Sequence, residues 1–313
     1  MSELEKAFCR GAIGYLDYIE NIVGDVVDDV EERRVESFKF VLMLILLKMF
    51  EDFGLVSRED VRKVLRERLL NGFLRGMYSV LEGYIDVGFL RVDEEKFLGC
   101  GGLVDGLRMV FEYGSRGKRG WRGLRFYDFR ELGSGVLSGV YESFLGWLSK
   151  ERKKKMGVYY TPRVIVEYMC RESLFYYLQS KLEGMVSDDG LGRFVRDGDV
   201  SGVKGCEEEV DRLLAEVRVC DPACGTGAFL VGMLNEIVRL RGLVSDASVC
   251  EVKRNAIERS LYGIDIDGRA VEICKLRLWF SLIESGCVIP LQRLRFNVVQ
   301  GDALLSFPEE WLR

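Results

Sequence analysis

The sequence predicts an α/β protein in two parts, a mainly helical domain over residues 1–150 and an incomplete Rossmann-like domain over 151–313 holding three core strands of a parallel sheet. Two observations predict it. Up to about residue 150, apolar residues recur at helical spacing, as in Phe38, Val41, Leu42, Ile45, Leu46 and Met49, and again in Val136, Val140, Tyr141 and Phe144. Beyond it, short β-branched runs alternate with amphipathic helical patterns, and such alternation makes a parallel sheet with crossover helices.

Composition bounds the reading. A chain of 313 residues, 48% hydrophobic and 30% charged with only 4 prolines, is an ordinary globular protein with room for two cores. The net charge of −5 gives no global pull toward nucleic acid, so any such contact must come from local basic patches or a partner chain. The start, MSELEKAF, carries no signal pattern, and the most apolar stretch, 38–50, is short and interrupted by Lys39 and Lys48; no membrane span is expected. The 9 cysteines, odd in number and irregular in spacing from Cys9 to Cys287, read as reduced thiols and place the chain in the cytoplasm. Histidine is absent, which excludes every imidazole base, ligand and nucleophile partner.

Within the helical part, a break at 114–125, GSRGKRGWRGLR, sets Arg116, Lys118, Arg119, Arg122 and Arg125 around Trp121. It reads as a solvated surface loop, with phosphate contact as the sharper alternative, and the basic run Lys150 to Lys155 reads the same way. A helix is expected over 163–182, then a surface excursion over about 184–206 rich in Gly, Asp and Ser. The strand VRVC at 217–220, a helix from about 228 to 241, the strand LYGID at 261–265, a helix at about 269–285 and the strand FNVVQ at 296–300 complete the second part.

The strongest chemical signal is VRVCDPACGTGAFLVGML, a strand running into Asp221, Pro222 and a turn bearing Gly225 and Gly227 before a helix that opens at Ala228 and Phe229. Open α/β sheets bind ligands at this carboxyl edge. A dinucleotide site wants a third glycine where Leu230 stands, and a phosphate-cradling loop wants a lysine that is missing; the loop carries an acid and no base. S-adenosylmethionine has the opposite needs, with a positive sulfonium and ammonium and a single carboxylate, and Asp221 with the small Ala223, Gly225 and Gly227 suits it. The next strand ends in Gly-Ile-Asp-Ile-Asp, where Asp265 can accept both hydroxyls of a ribose and Ile266 can lie on the adenine. The third ends at Gly301-Asp302, followed by Ala303, where an acceptor can take the exocyclic amine. Any one of these acids alone reads as a helix cap or turn former; three in order do not.

These residues resemble the Eco57I-like and type I-like adenine-N6 DNA methyltransferases of type IIG restriction–modification systems, with DPACGTGAFL as the cofactor motif, GIDID as the ribose motif and MGVYYTPRVIVEYM at 156–169 matching their upstream GxYYTP. The stretch 128–147 is similar to their helical lead-in, so the likeness covers nearly the whole chain and most firmly 128–302. It implies S-adenosylmethionine as cofactor, with Tyr160, Thr161 and Pro162 closing over its methionine end, and site-specific methylation of adenine in double-stranded DNA by direct in-line transfer. Thr161-Pro162 also makes a good helix entry by itself.

Such enzymes carry a further strand ending in Asn-Pro-Pro-Tyr, which grips the flipped adenine. The 4 prolines here, Pro162, Pro222, Pro290 and Pro308, are never adjacent, so that motif is absent and no catalytic residue is assigned. An exocyclic amine with its lone pair delocalised into the ring reacts only when held by acceptors, so transfer by this chain alone should be very slow or nil. The expectation is a cofactor-binding half completed by a second polypeptide, or a missing C-terminal part, that brings the motif and the target-recognition domain. Asp86 with Glu94 and Lys96 fits a nuclease signature only loosely, and Cys220 with Cys224 lacks zinc spacing, so neither cleavage nor a metal is expected. The alternatives are a non-catalytic cofactor- or DNA-binding subunit, an RNA or protein methyltransferase, and a nicotinamide-dependent dehydrogenase, the last disfavoured by Leu230 and by the lack of a basic group near the loop.

Overall fold

In the computed structural model, which describes residues 3–97, 99–115, 121–148 and 161–305, the apolar run at 38–50 is the middle of a helix covered on nearly every side. The chain divides into two compact units, Met1–Val158 with Pro290–Gln292 and Tyr159–Ile289 with Arg293–Arg313. The structure is mostly helical, with a small parallel sheet in the second unit.

The first unit is built from α1 (Glu3–Val23), α2 (Val30–Asp52), α3 (Arg58–Arg66), α4 (Leu70–Glu82), α5 (Glu94–Phe97), α6 (Leu103–Glu112), α7 (Phe129–Leu132) and α8 (Gly135–Leu148). Helix α2 starts where the Asp29 side chain accepts from Glu32 N at 2.7 Å, and from Phe40 to Phe50 it has no exposed residue. All-round apolarity marks a helix wrapped by others. Its one buried cation, Lys48, is paired with Asp52 and, at 3.3 Å, with Glu51, as a buried charge requires. Phe38 stacks on Phe144 of α8 at 4.1 Å between centroids. Among the described residues no helix is long and apolar enough to cross a membrane.

The basic break differs from a plain solvated loop. Its ends form a two-residue antiparallel pair, β1 (Gly114–Ser115) with β2 (Trp121–Arg122), because Trp121 packs edge-on against Tyr15 at 4.9 Å and Tyr15 Oη donates to Arg122 O at 2.5 Å. Arg116, Lys118 and Arg119 lie outside the described residues, as does the run from Lys150 to Lys155.

The second unit runs α9 (Arg163–Lys181), α10 (Asp188–Asp197), α11 (Glu207–Glu216), β3 (Val219–Asp221), α12 (Ala228–Val244), α13 (Val249–Asn255), a π-helical turn at Ala256–Ser260, β4 (Leu261–Asp265), α14 (Gly268–Glu284) and β5 (Asn297–Gln300). The strands lie in the order β3-β4-β5, all parallel, with Asp221 opposite Gly263 and Asp265 opposite Gln300. Strand β3 is an edge of this sheet, and its Cys220 is exposed.

Two expectations change here. The stretch at 184–206 contains the helix α10, capped by Ser187 Oγ on Gly190 N at 3.1 Å and burying Leu191, Phe194 and Val195. Its glycines serve contact rather than looseness, since a Cβ on Gly202 would run into the backbone of Gly190. The thiols are not all reduced either: Cys250 and Cys287 are joined by a disulfide, with Cα atoms 5.7 Å apart, and the other seven cysteines are free.

Candidate functional site

Strand β3 ends at Asp221, and the chain then turns through Pro222 to Gly227 into α12. The turn needs glycine at two places, for different reasons. Gly227 caps α12 with φ 82 and ψ 35, in the left-handed region. A Cβ there would stand inside contact distance of Cys274 Sγ on α14. Gly225 is also left-handed, at φ 52, but among the described residues a Cβ on it would meet nothing within 4 Å. One glycine is pressed against the protein and the other faces open space.

The turn is held to the neighbouring strand. Cys224 N donates to Ile264 O at 2.9 Å, and Gly225 N donates to Asp265 Oδ2 at 2.7 Å. The other oxygen of Asp265 accepts Asp267 N at 2.9 Å, and its carbonyl accepts Gly301 N, also at 2.9 Å. Asp265 thus joins the ends of all three strands. Each of its carboxylate oxygens retains a second lone pair for a ligand.

The register makes the ends a staircase. Asp221 sits level with Gly263, two residues short of Asp265, so the step is about 7 Å along the strands and about 5 Å across. Asp302 follows β5 by two residues and accepts from Leu304 N at 2.9 Å, forming a local turn with Ala303 inside it. Asp221 accepts Ala223 N at 3.1 Å in the same manner. Burial raises the Asp221 carboxyl above the ordinary aspartate range, and the Asp265 charge adds to this, while the Ala223 hydrogen bond opposes it. A cationic ligand would reverse that shift.

The other expected residues fall as follows. Ile266 is 66% exposed just beyond Asp265, its carbonyl fixed by Gln300 Nε2 at 3.1 Å. Pro222 and Ala223 are exposed, and Phe229 lies in the first turn of α12, its carbonyl 3.7 Å from Cys170 Sγ on α9. Pro162 stands at the head of α9 as its cap residue, and among the described residues no side chain caps that end, so Thr161 is one residue short of the capping role expected of it. Tyr160 lies outside the described residues.

Sequence reasoning missed three partners of the turn. Arg277 of α14, buried, donates to Thr226 O at 2.5 Å, which corrects the expectation of no basic group near the loop. Nothing in a chain separation of 51 residues announces that contact. Cys274 sits one turn earlier on the same helix, packed under Gly227, and its hydrogen bond with Cys224, together with burial, raises the Cys224 thiol far out of the reactive range. Gly263, whose Cβ would crowd Leu230 at 2.8 Å, gives the close helix–strand approach that a dinucleotide loop obtains from a glycine at position 230. Among the described residues no group of three acidic or cysteine side chains could hold a metal. Asp86 accepts Gly88 N at 2.8 Å and Lys96 pairs with Glu32.

Residues 204–295 match the family described as MmeI, DNA-methyltransferase domain. A Methanocaldococcus jannaschii protein named as a type II restriction enzyme and methyltransferase is 28% identical over 204 residues, 58% of this chain and 17% of its own length. The adenine-specific methyltransferase PglX of Streptomyces coelicolor is 28% identical over 96 residues, 29% of this chain and 8% of that one. The structure of the type IIL restriction–modification enzyme MmeI in complex with DNA aligns with 96% of this chain and 40% of its own at a TM-score of 0.54 and 14% identity, a likeness of fold. The chain therefore resembles type IIG-like restriction–modification methyltransferases and spans 17% of the length of the first of these relatives.

Proposed function

We propose that the second unit binds S-adenosylmethionine at the staggered strand ends, and that the chain is the cofactor-binding half of a DNA adenine-N6 methyltransferase of a restriction–modification or phage-defence system. The observation that carries this reading is Asp265, which clasps Gly225 N and Asp267 N and still offers a lone pair on each oxygen to a ribose diol.

The residues fit that cofactor in three further respects. Open space over Gly225 lets the methionine moiety lie against bare backbone. Asp221, its carboxyl raised by burial, is the acid that a bound ammonium would stabilise. Exposed Ile266 offers an apolar face to the adenine, and Asp302 and Ala303 stand at the next strand end for its amine. Pro222 lies within the turn and Phe229 just after it, and the resemblance implies that Tyr160, Thr161 and Pro162 close over the methionine end. S-adenosylmethionine, when bound, supplies the methyl group; the chain's own residues hold and orient it and keep its cationic end beside an acid.

Adenine as the target rests on the motifs and on the name of PglX. No Asn-Pro-Pro-Tyr occurs in the sequence, so the groups that hold the base come from another polypeptide or another part of a longer chain. The open edge of β3 and the exposed Val164, Ile165, Tyr168 and Met169 at the start of α9 offer it a surface.

Isothermal titration of the chain with S-adenosylmethionine, with NAD and with neither tests the cofactor assignment. Binding of the first alone, abolished by Asp265→Ala, is expected. Binding of NAD, or undiminished S-adenosylmethionine affinity in Asp265→Ala, would sink it. Transfer of labelled methyl to duplex DNA in the presence of a chain bearing Asn-Pro-Pro-Tyr tests the substrate.

A further inference from the structure

The basic break at 114–125 is not absorbed by the strand-end site, and its last arginine leads to a separate feature of the first unit. Arg62 and Arg66 of α3, Arg68 just after it, Arg108 of α6 and Arg125 together line an open pocket of about 430 Å³, with Glu112 and Tyr113 at its wall. Two of the five arginines are fixed posts. Arg108 donates to Leu65 O at 2.6 Å, to Glu67 O at 2.8 Å and to Asp105 at 2.5 Å, and Arg125 pairs with Glu112 at 2.6 Å. Arg62 and Arg66 come no closer than 3.9 and 3.8 Å to Glu59 and are 56% and 74% exposed.

With Glu59, Asp105 and Glu112 set against the five arginines, the pocket keeps an excess of two positive charges in a chain whose net charge is −5. The end of α3 accounts for Arg66 by itself, since a cation complements a helix C-terminus. It does not account for guanidinium groups from three other segments converging on the same space. Planar forks in that arrangement are donors for phosphate oxygens. The volume exceeds what one phosphate needs and falls in the range of sites for extended ligands. Tyr113, 68% exposed, adds a ring against which a sugar or base can rest.

We propose that this pocket seats the phosphodiester backbone of duplex DNA without reading its sequence, at a place in the helical unit separate from the cofactor crevice. The proposal rests on DNA being the substrate. Such a contact positions a duplex and makes its affinity depend on salt.

The test is the salt dependence of full-chain binding to a 30-base-pair duplex by fluorescence anisotropy. Each phosphate contact contributes about 0.9 to the slope of log affinity against log salt. Arg66→Ala/Arg68→Ala should lower that slope by about 1–2 and weaken binding roughly ten- to sixtyfold at about 0.1 M salt. Arg66→Lys/Arg68→Lys should retain most of the slope. The control is Arg58→Ala/Lys63→Ala, which removes the same charge from α3 at residues 83% and 68% exposed that do not line the pocket, and it should leave the slope unchanged. Equal losses in both alanine pairs, no loss in either, or binding of inorganic phosphate without binding of duplex would overturn the proposal. Titration with S-adenosylmethionine alongside separates the two readings: Arg66→Ala/Arg68→Ala should leave that affinity unaltered, and its absence in the unsubstituted chain would sink the cofactor assignment while the slope still judges the pocket.

Discussion

Replacing Gly227 with alanine should damage the turn far more than the same change at Gly225, two residues away. At Gly227 the backbone is at φ 82, which costs a residue with a Cβ about 1–2 kcal/mol. The added methyl would also run into Cys274 Sγ and lie 3.3 Å from its Cβ, a crowding that turning the sulfur about χ1 does not fully relieve, and overpacking adds about 1–3 kcal/mol. The expected total is about 2–5 kcal/mol. At Gly225, with φ 52 and no atom of the described residues within 4 Å of the added methyl, only the backbone penalty of about 1–2 kcal/mol applies. Adding Cys274→Ala to Gly227→Ala should recover the overpacking part, giving a coupling energy of about 1–3 kcal/mol in a double-mutant cycle. Urea unfolding read by hydrogen exchange in peptides over 217–234 isolates this unit's stability. Equal losses at the two glycines, or no coupling between 227 and 274, would refute the reasoning.

Two further outcomes are expected. Because burial holds the Asp221 carboxyl above its ordinary range, the folded unit binds the proton more tightly than the unfolded chain, so stability is fullest below the unfolded aspartate value and declines as pH rises to the raised one. Asp221→Asn, which keeps an acceptor for Ala223 N, should therefore be more stable than the natural chain at neutral pH and lose that advantage in acid; urea midpoints across a pH series measure it. Reduction of Cys250–Cys287, which spans 37 residues, should destabilise the second unit by about 3–4 kcal/mol on loop entropy, and thiol titration of the denatured, unreduced chain should count seven free thiols.

The parts of the second unit that follow local rules were legible in the sequence. Strand LYGID occupies Leu261–Asp265 as expected, because its ends are set by a helix before it and by the Asp267 cap after it. The first strand begins two residues later than the pattern put it, at Val219, because α11 runs to Glu216 and Val217 closes that helix instead. Helix α10 was hidden by its own composition. Glycine and aspartate are poor helix formers, and only the buried Leu191, Phe194 and Val195 with the Ser187 cap override them. Arg277 under Thr226, Cys274 under Gly227 and the Cys250–Cys287 bond are contacts between residues tens of positions apart, set by how α13 and α14 pack. The basic pocket divides likewise: the run at 114–125 was visible, but Arg62, Arg66, Arg68 and Arg108 join Arg125 only through the packing of α3 and α6.

If Asp265 holds a ribose as proposed, it has a second duty beside its structural one, and this bears on how relatives of this protein should be read. A relative that bound no nucleoside would still need this acid to keep Gly225 and Asp267 in place, so persistence of the carboxylate says little about whether the proposed cofactor is held. Ile266 is the better informant: two-thirds exposed, its side chain is under no evident obligation to the fold and would drift once nothing lay against it.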